Sequence, residues 1–130
     1  MNNAKYSVIA LMSVSLIALE LVWTRIFSAE FFYTFAFLTL SLAVLGLGLG
    51  ALALHLFSFL NRKNIIGISL SLSAALALVG PPLVFKMGLQ FSQLFHSWAM
   101  VGKFALTVAL LSSVYFFAGI ALARLFKTYN

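Results

Sequence analysis

Residues 6–27 read YSVIALMSVSLIALELVWTRIF. This stretch decides the fold. As a helix it is long enough to cross a hydrocarbon core of about 30 Å, yet it carries a carboxylate, Glu20, well inside. A carboxylate in hydrocarbon costs on the order of 3 kcal/mol or more unless it is protonated, paired or turned to a polar cavity. Any fold of this chain must therefore turn Glu20 toward protein rather than oil.

Three more apolar runs follow, at about 32–60, 65–85 and 101–126. They are separated by a tight turn at 28–30, by the polar break Asn61–Arg62–Lys63–Asn64, and by residues 86–98. Composition agrees. The 130 residues are 64% hydrophobic and 8% charged, whereas a soluble domain carries about 25% charged residues. There is too little polar surface to cover a water-soluble globule. The expected architecture is all-α and integral to the membrane: one transmembrane domain, 1–130, folded as a four-transmembrane-helix bundle. A cleavable signal peptide does not fit the first run. It continues to Phe27 with a glutamate inside, and no small-residue cleavage site follows.

The connecting segment 86–98, KMGLQFSQLFHSW, spaces Phe91, Leu94, Phe95 and Trp98 three and four apart. That pattern predicts a short interfacial amphipathic helix between the third and fourth spans. Pro81 and Pro82 predict a stop or kink near the end of the third span. Lys5, Arg62, Lys63, Arg124 and Lys127 fall on one membrane side, against Arg25, Lys86 and Lys103 on the other. The positive-inside rule then places both termini in the cytoplasm. The formal charge of +6 is scattered at run ends, where it meets headgroups. Lipid is the expected partner, not nucleic acid.

Close packing is signalled in the second run. Ala43, Gly46, Gly50 and Ala53 recur every three or four residues and form one stripe containing a G-x-x-x-G pair. Small residues let a neighbouring backbone approach closely, and van der Waals contact then drives association in lipid. Weaker stripes occur at Gly67, Ser71, Ala74, Ala75 and Leu78 on the third run, and at Ala109, Ser112, Gly119 and Ala123 on the fourth.

The intramembrane polar set is Glu20, Thr24 and Arg25. Thr24 is one turn from Glu20 and within reach of its carboxyl group. Arg25 lies about 140° round the helix, better placed to snorkel, or to meet Glu30 or a partner chain. Two roles fit Glu20. It is a proton or cation site facing the bundle centre, or a buried group that hydrogen-bonds another helix and fixes packing. A single acid makes a thin proton relay, which favours packing. His55 and His96 are candidate ligands for a haem or chlorophyll-type pigment through a ring nitrogen, although interfacial histidines without a ligand are commoner. Tyr6, Trp23, Phe31, Phe32, Tyr33, Trp98 and Tyr129 lie near run ends and suit an aromatic belt. Tyr115 is mid-span, so its hydroxyl needs a partner, with Ser112 or another helix as candidates.

There is no cysteine, so thiolate metal sites and cysteine nucleophiles are excluded. GLGLG lies inside a membrane helix, the wrong context for a phosphate loop. With two acids in the chain, no catalytic or metal-binding constellation is visible, and no enzyme activity is expected.

The stretch ALELVWTRIFS, Ala18 to Ser28, resembles the start of membrane-embedded spermidine-synthase-like proteins. These are polytopic bacterial proteins that join transmembrane helices to an aminopropyltransferase-like Rossmann domain. Their E-x-x-W-T-R pattern is matched by Glu20, Trp23, Thr24 and Arg25. Their glycine-rich stretch resembles Leu45 to Gly50. Their Phe-Phe motif resembles FFAGIALA, at Phe116, Phe117, Gly119, Leu122 and Ala123. The residues that would bind polyamine and sulfonium donor have no counterpart in these 130 residues. What the resemblance implies is the membrane module alone, packing through Glu20, Arg25 and the glycine stripe.

The expected function is a non-catalytic membrane subunit that packs into or scaffolds a larger membrane complex, with other membrane subunits or a second copy as partners. The rival is a small multidrug-resistance-like exporter, in which Glu20 from two copies exchanges protons for a cation.

Overall fold

In hydrocarbon every backbone N–H and C=O must be satisfied within the protein, and four long apolar runs can do so as helices. The computed structural model has four of them: α1 (Asn2–Glu30), α2 (Tyr33–Leu56), α3 (Ile65–Met87) and α4 (Trp98–Tyr129). All four are long and apolar enough to cross a membrane. The structure describes residues 2–31 and 33–129, excluding the side chains of Asn2, Tyr33, Thr34, Phe91 and Tyr129. Phe32, and the side chains of Tyr33, Phe91 and Tyr129 invoked above, thus lie outside the described residues.

The helices are not arranged in chain order. α4 packs against both α2 and α3, α1 lies on α2, and α1 touches α4 lightly. Because α3 returns the chain across the bundle, α2 and α4 run in the same direction. α4 is the central element: Leu111, Val114, Tyr115, Ala118 and Ala121 are all buried.

The inward face of α1 is a narrow stripe of Met12, Leu16, Leu19, Trp23 and Phe27, spaced three and four apart. Its outer face is Leu11, Val14, Ile17 and Leu21, all exposed, which suits lipid contact. Trp23, expected in the interfacial belt, is instead a core residue at 2% exposure. Its ring meets Tyr115 edge-on at 5.7 Å. Phe27 continues the cluster, 5.4 Å from Phe35 and 5.7 Å from Phe85. These aromatic contacts tie α1, α2, α3 and α4 together at one end of the bundle.

Several element boundaries differ from the expected ones. The turn expected at 28–30 is helical, because α1 continues through it to Glu30. α2 ends at Leu56 rather than near Leu60. Phe57 is extended, and a 3-10 turn, Ser58–Asn61, follows. Arg124 and Lys127 account for the break. Arg124 donates from Nη2 to the Asn61 carbonyl oxygen at 2.7 Å and from Nη1 to Asn61 Oδ1 at 3.2 Å. Lys127 Nζ donates to the same Oδ1 at 3.4 Å. These bonds draw the loop onto α4 instead of letting α2 continue.

α3 runs through Pro81 and Pro82 to Met87. The two prolines remove only two donors, a deficit that membrane helices tolerate. The stop is Gly88, at φ 62° and ψ 54°, whose N–H donates to the Phe85 carbonyl at 3.2 Å. Only a residue without a Cβ takes that left-handed conformation easily.

The expected amphipathic helix over 86–98 does not form. Lys86 and Met87 complete α3, and Gly88 reverses the chain. What remains is a single 3-10 turn, Phe91–Gln93, followed by a turn in which the His96 N–H donates to the Gln93 carbonyl at 3.0 Å. So short a segment cannot offset the cost of helix nucleation. Phe95 and Trp98 stand almost fully exposed there, at 93% and 92%.

Candidate functional site

Two features converge near the middle of the bundle: the seam between α2 and α4, and Glu20 on α1. The seam is glycine on glycine. A Cβ added at Gly46 would lie 2.7 Å from both the Ser112 carbonyl oxygen and Tyr115 Cβ. At Gly50 it would meet the Phe116 carbonyl oxygen and lie 2.9 Å from the Ile120 nitrogen. At Gly119 it would lie 2.6 Å from the Leu47 carbonyl oxygen. Ala43 and Ala53, the other members of the stripe, are buried as well. The stripe on α2 is therefore spent within the chain and offers nothing to an outside partner. On α4, Gly119 joins the same seam and Ala109 faces outward.

Glu20 is half-buried. It lies three residues before Trp23, about 60° round the helix, on the flank of the inward stripe. Thr24 does not bond the carboxyl group as expected. Its Oγ1 donates instead to the Glu20 backbone carbonyl at 2.7 Å, a local bond that Thr favours in membrane helices. The Glu20 carboxyl forms no hydrogen bond or ion pair with any described residue. Tyr115 is 1% exposed, and its hydroxyl is buried without a hydrogen-bond partner among the described residues. Ser112, the expected partner, does not supply one.

The remaining candidates scatter. Arg25 and Glu30 are both exposed, and Arg25 is on the far side of α1 from Glu20. His55 is exposed at the end of α2, beside Ala123 and Lys127 of α4. His96 is exposed in the α3–α4 connection, at the opposite end of the bundle. The two cannot share one ligand. No group of three His, Asp or Glu side chains comes together among the described residues.

Sequence reasoning missed one feature. α1 and α3 meet at the aromatic end but separate toward the other end, leaving a lateral apolar cleft of about 420 Å³ floored by α4. Its lining, mostly Leu, Val, Ile, Met and Ala side chains from helices that are not neighbours in the chain, carries no pattern that marks it in the sequence.

Comparison with protein families, curated proteins and solved structures finds no match to this chain.

Proposed function

We propose that this protein is a non-catalytic integral membrane subunit that packs into, or scaffolds, a larger membrane assembly. The observation that supports it is how the surface is divided. α2 and α4 use their glycines on each other, whereas α3 keeps a small-residue face turned outward. Gly67, Ser71 and Ala75 are exposed, and a Cβ at Gly67 would meet nothing within 4 Å. A smooth face of this kind lets a foreign helix approach closely. The docking face is thus on α3, not on the α2 stripe. The resemblance of Glu20–Arg25 and the glycine stretch to the membrane module of spermidine-synthase-like proteins supports the same role, as does the shortage of polar chemistry. The lysine and arginine distribution supports an orientation with both termini inside, and the resemblance supports a bacterial cytoplasmic membrane location. Native mass spectrometry of the complex extracted in mild detergent tests this. Gly67→Leu with Ser71→Leu is expected to yield the folded chain without its partner subunits. An assembly of unchanged mass removes the proposal.

One observation favours a second reading, proton-coupled export by a dimer. Glu20 is half-buried on the flank of the inward stripe of α1, and the Tyr115 hydroxyl of α4 is buried without a hydrogen-bond partner among the described residues, polar groups within spans of the kind a protonation site uses. Proton exchange in liposomes with wild type and Glu20→Gln separates the readings. Exchange that is present in the wild type and abolished by the substitution establishes transport.

A further inference from the structure

We propose that Arg124 and Lys127 of α4, with His55 of α2, form a binding site for an anionic phosphate group where the α2–α4 seam reaches the membrane surface.

Two cations meet there on one neutral oxygen. Arg124 Nη1 and Lys127 Nζ stand 3.2 Å and 3.4 Å from Asn61 Oδ1. That places them within a Debye length of each other, about 8 Å at physiological ionic strength. They are three residues apart on α4, a spacing at which like charges repel. Neither forms an ion pair with a described residue. The acidic side chains of the chain are Glu20, within the span of α1, and Glu30, at the opposite end of the bundle.

Bracing the loop does not account for both cations. The Arg124 fork alone covers Asn61, since Nη2 donates to its carbonyl oxygen at 2.7 Å and Nη1 to its side-chain oxygen. Lys127 adds a longer bond to an oxygen already in use. The last turn of α4 favours a cation, but the helix end carries only about half an elementary charge. Donors remain in excess. Arginine has five N–H donors and lysine three, and only three of them are spent on Asn61. Arg124 Nε is buried and bonds no described residue.

Lys127 also lines a small recess between α2 and α4. His55 faces that recess from α2, and Ala51, Leu54 and Ala123 make its apolar wall. An imidazole presents an N–H donor in either protonation state. Phosphate suits this set, because its oxygens accept several charge-assisted hydrogen bonds at once from guanidinium and ammonium. The ligand must be anionic as a whole, since an attached ammonium would return positive charge to a site that has no acid. At headgroup depth the abundant groups of this kind are the phosphates of anionic lipids. Free phosphate shares their chemistry.

None of these residues belongs to the outward face of α3, so the inference stands apart from the proposed subunit role. The test uses the full chain in detergent, isotope-labelled on arginine, with the Arg124 Nε–H resonance as reporter. The probes are phosphatidylglycerol, phosphatidylcholine and inorganic phosphate. Phosphatidylglycerol is expected to shift the resonance saturably, with an apparent affinity at least tenfold above that of phosphatidylcholine. A matching response to inorganic phosphate would identify free phosphate as a ligand. A response to phosphatidylglycerol without one to inorganic phosphate would identify the lipid headgroup. This titration of the wild type needs no variant. Lys127→Gln with His55→Gln replaces two exposed side chains and is expected to weaken binding at least tenfold. Lys103→Gln removes a charge from the other end of α4 and is expected to leave binding unchanged. Equal responses to the two lipids, or no response to phosphatidylglycerol or inorganic phosphate, overturn the inference. So does a loss in Lys103→Gln as large as that in the double variant.

Discussion

Gly119 of α4 rests directly on the backbone of Leu47 of α2. A Cβ at Gly119 would stand 2.6 Å from the Leu47 carbonyl oxygen and 2.9 Å from its Cα. Backbone cannot yield as the tip of a side chain can. Gly119→Ala is therefore expected to push α2 and α4 apart and cost about 1–3 kcal/mol, the usual range for overpacking. Gly48→Ala is the control, since a Cβ there meets nothing within 4 Å. It is expected to be neutral or slightly stabilising, because alanine is the better helix former. Unfolding in mixed detergent micelles with increasing dodecyl sulfate measures both.

Tyr115 keeps its ring against Trp23 while its hydroxyl is buried without a partner among the described residues. An unsatisfied buried hydroxyl costs about 1–3 kcal/mol. Tyr115→Phe keeps the edge-on ring contact and removes that cost. We expect a stabilisation of about 1 kcal/mol in the same assay. A loss of stability would mean that the hydroxyl bonds Glu20 in the membrane.

The two tryptophans should differ widely in their response to truncation. Trp23 fills the junction of α1 and α4 at 2% exposure, whereas Trp98 stands at 92%. Trp23→Ala is expected to cost about 3–5 kcal/mol, and Trp98→Ala under about 0.5 kcal/mol. Thermal unfolding in detergent distinguishes them.

These contrasts show what was legible in the sequence. Four spans followed from the apolar runs alone, because only helices satisfy their own backbone in lipid. The stripe of Ala43, Gly46, Gly50 and Ala53 was legible as a packing face. Its target was not, since a parallel α2–α4 pair depends on how α3 returns the chain, and no local pattern records that. Trp23 read as an interfacial anchor because its position near the end of the run at Phe27 is all that sequence shows. In fact α1 extends to Glu30, which draws Trp23 inward. The Gly88 stop was masked by the prolines before it. The lateral cleft had no linear signature at all.

Asn61 joins the α2–α3 connection to α4 by accepting from Arg124 and Lys127. Asn61→Ala removes the side-chain acceptor and leaves the backbone one. Hydrogen bonds to charged groups are worth about 1.5–3 kcal/mol, and partial exposure reduces this. We expect a loss of about 1 kcal/mol and faster proteolysis within residues 57–64, read by limited digestion in detergent.

The central claim is that the glycine stripe of α2 closes this bundle from within. It is tested most directly by the dodecyl sulfate unfolding midpoint of Gly50→Ala, measured across a hundredfold dilution of protein in micelles. An intramolecular seam predicts the same loss of stability at every dilution. A loss that shrinks as the chains are diluted, or one no larger than that of Gly48→Ala, would place the stripe between molecules and contradict the account.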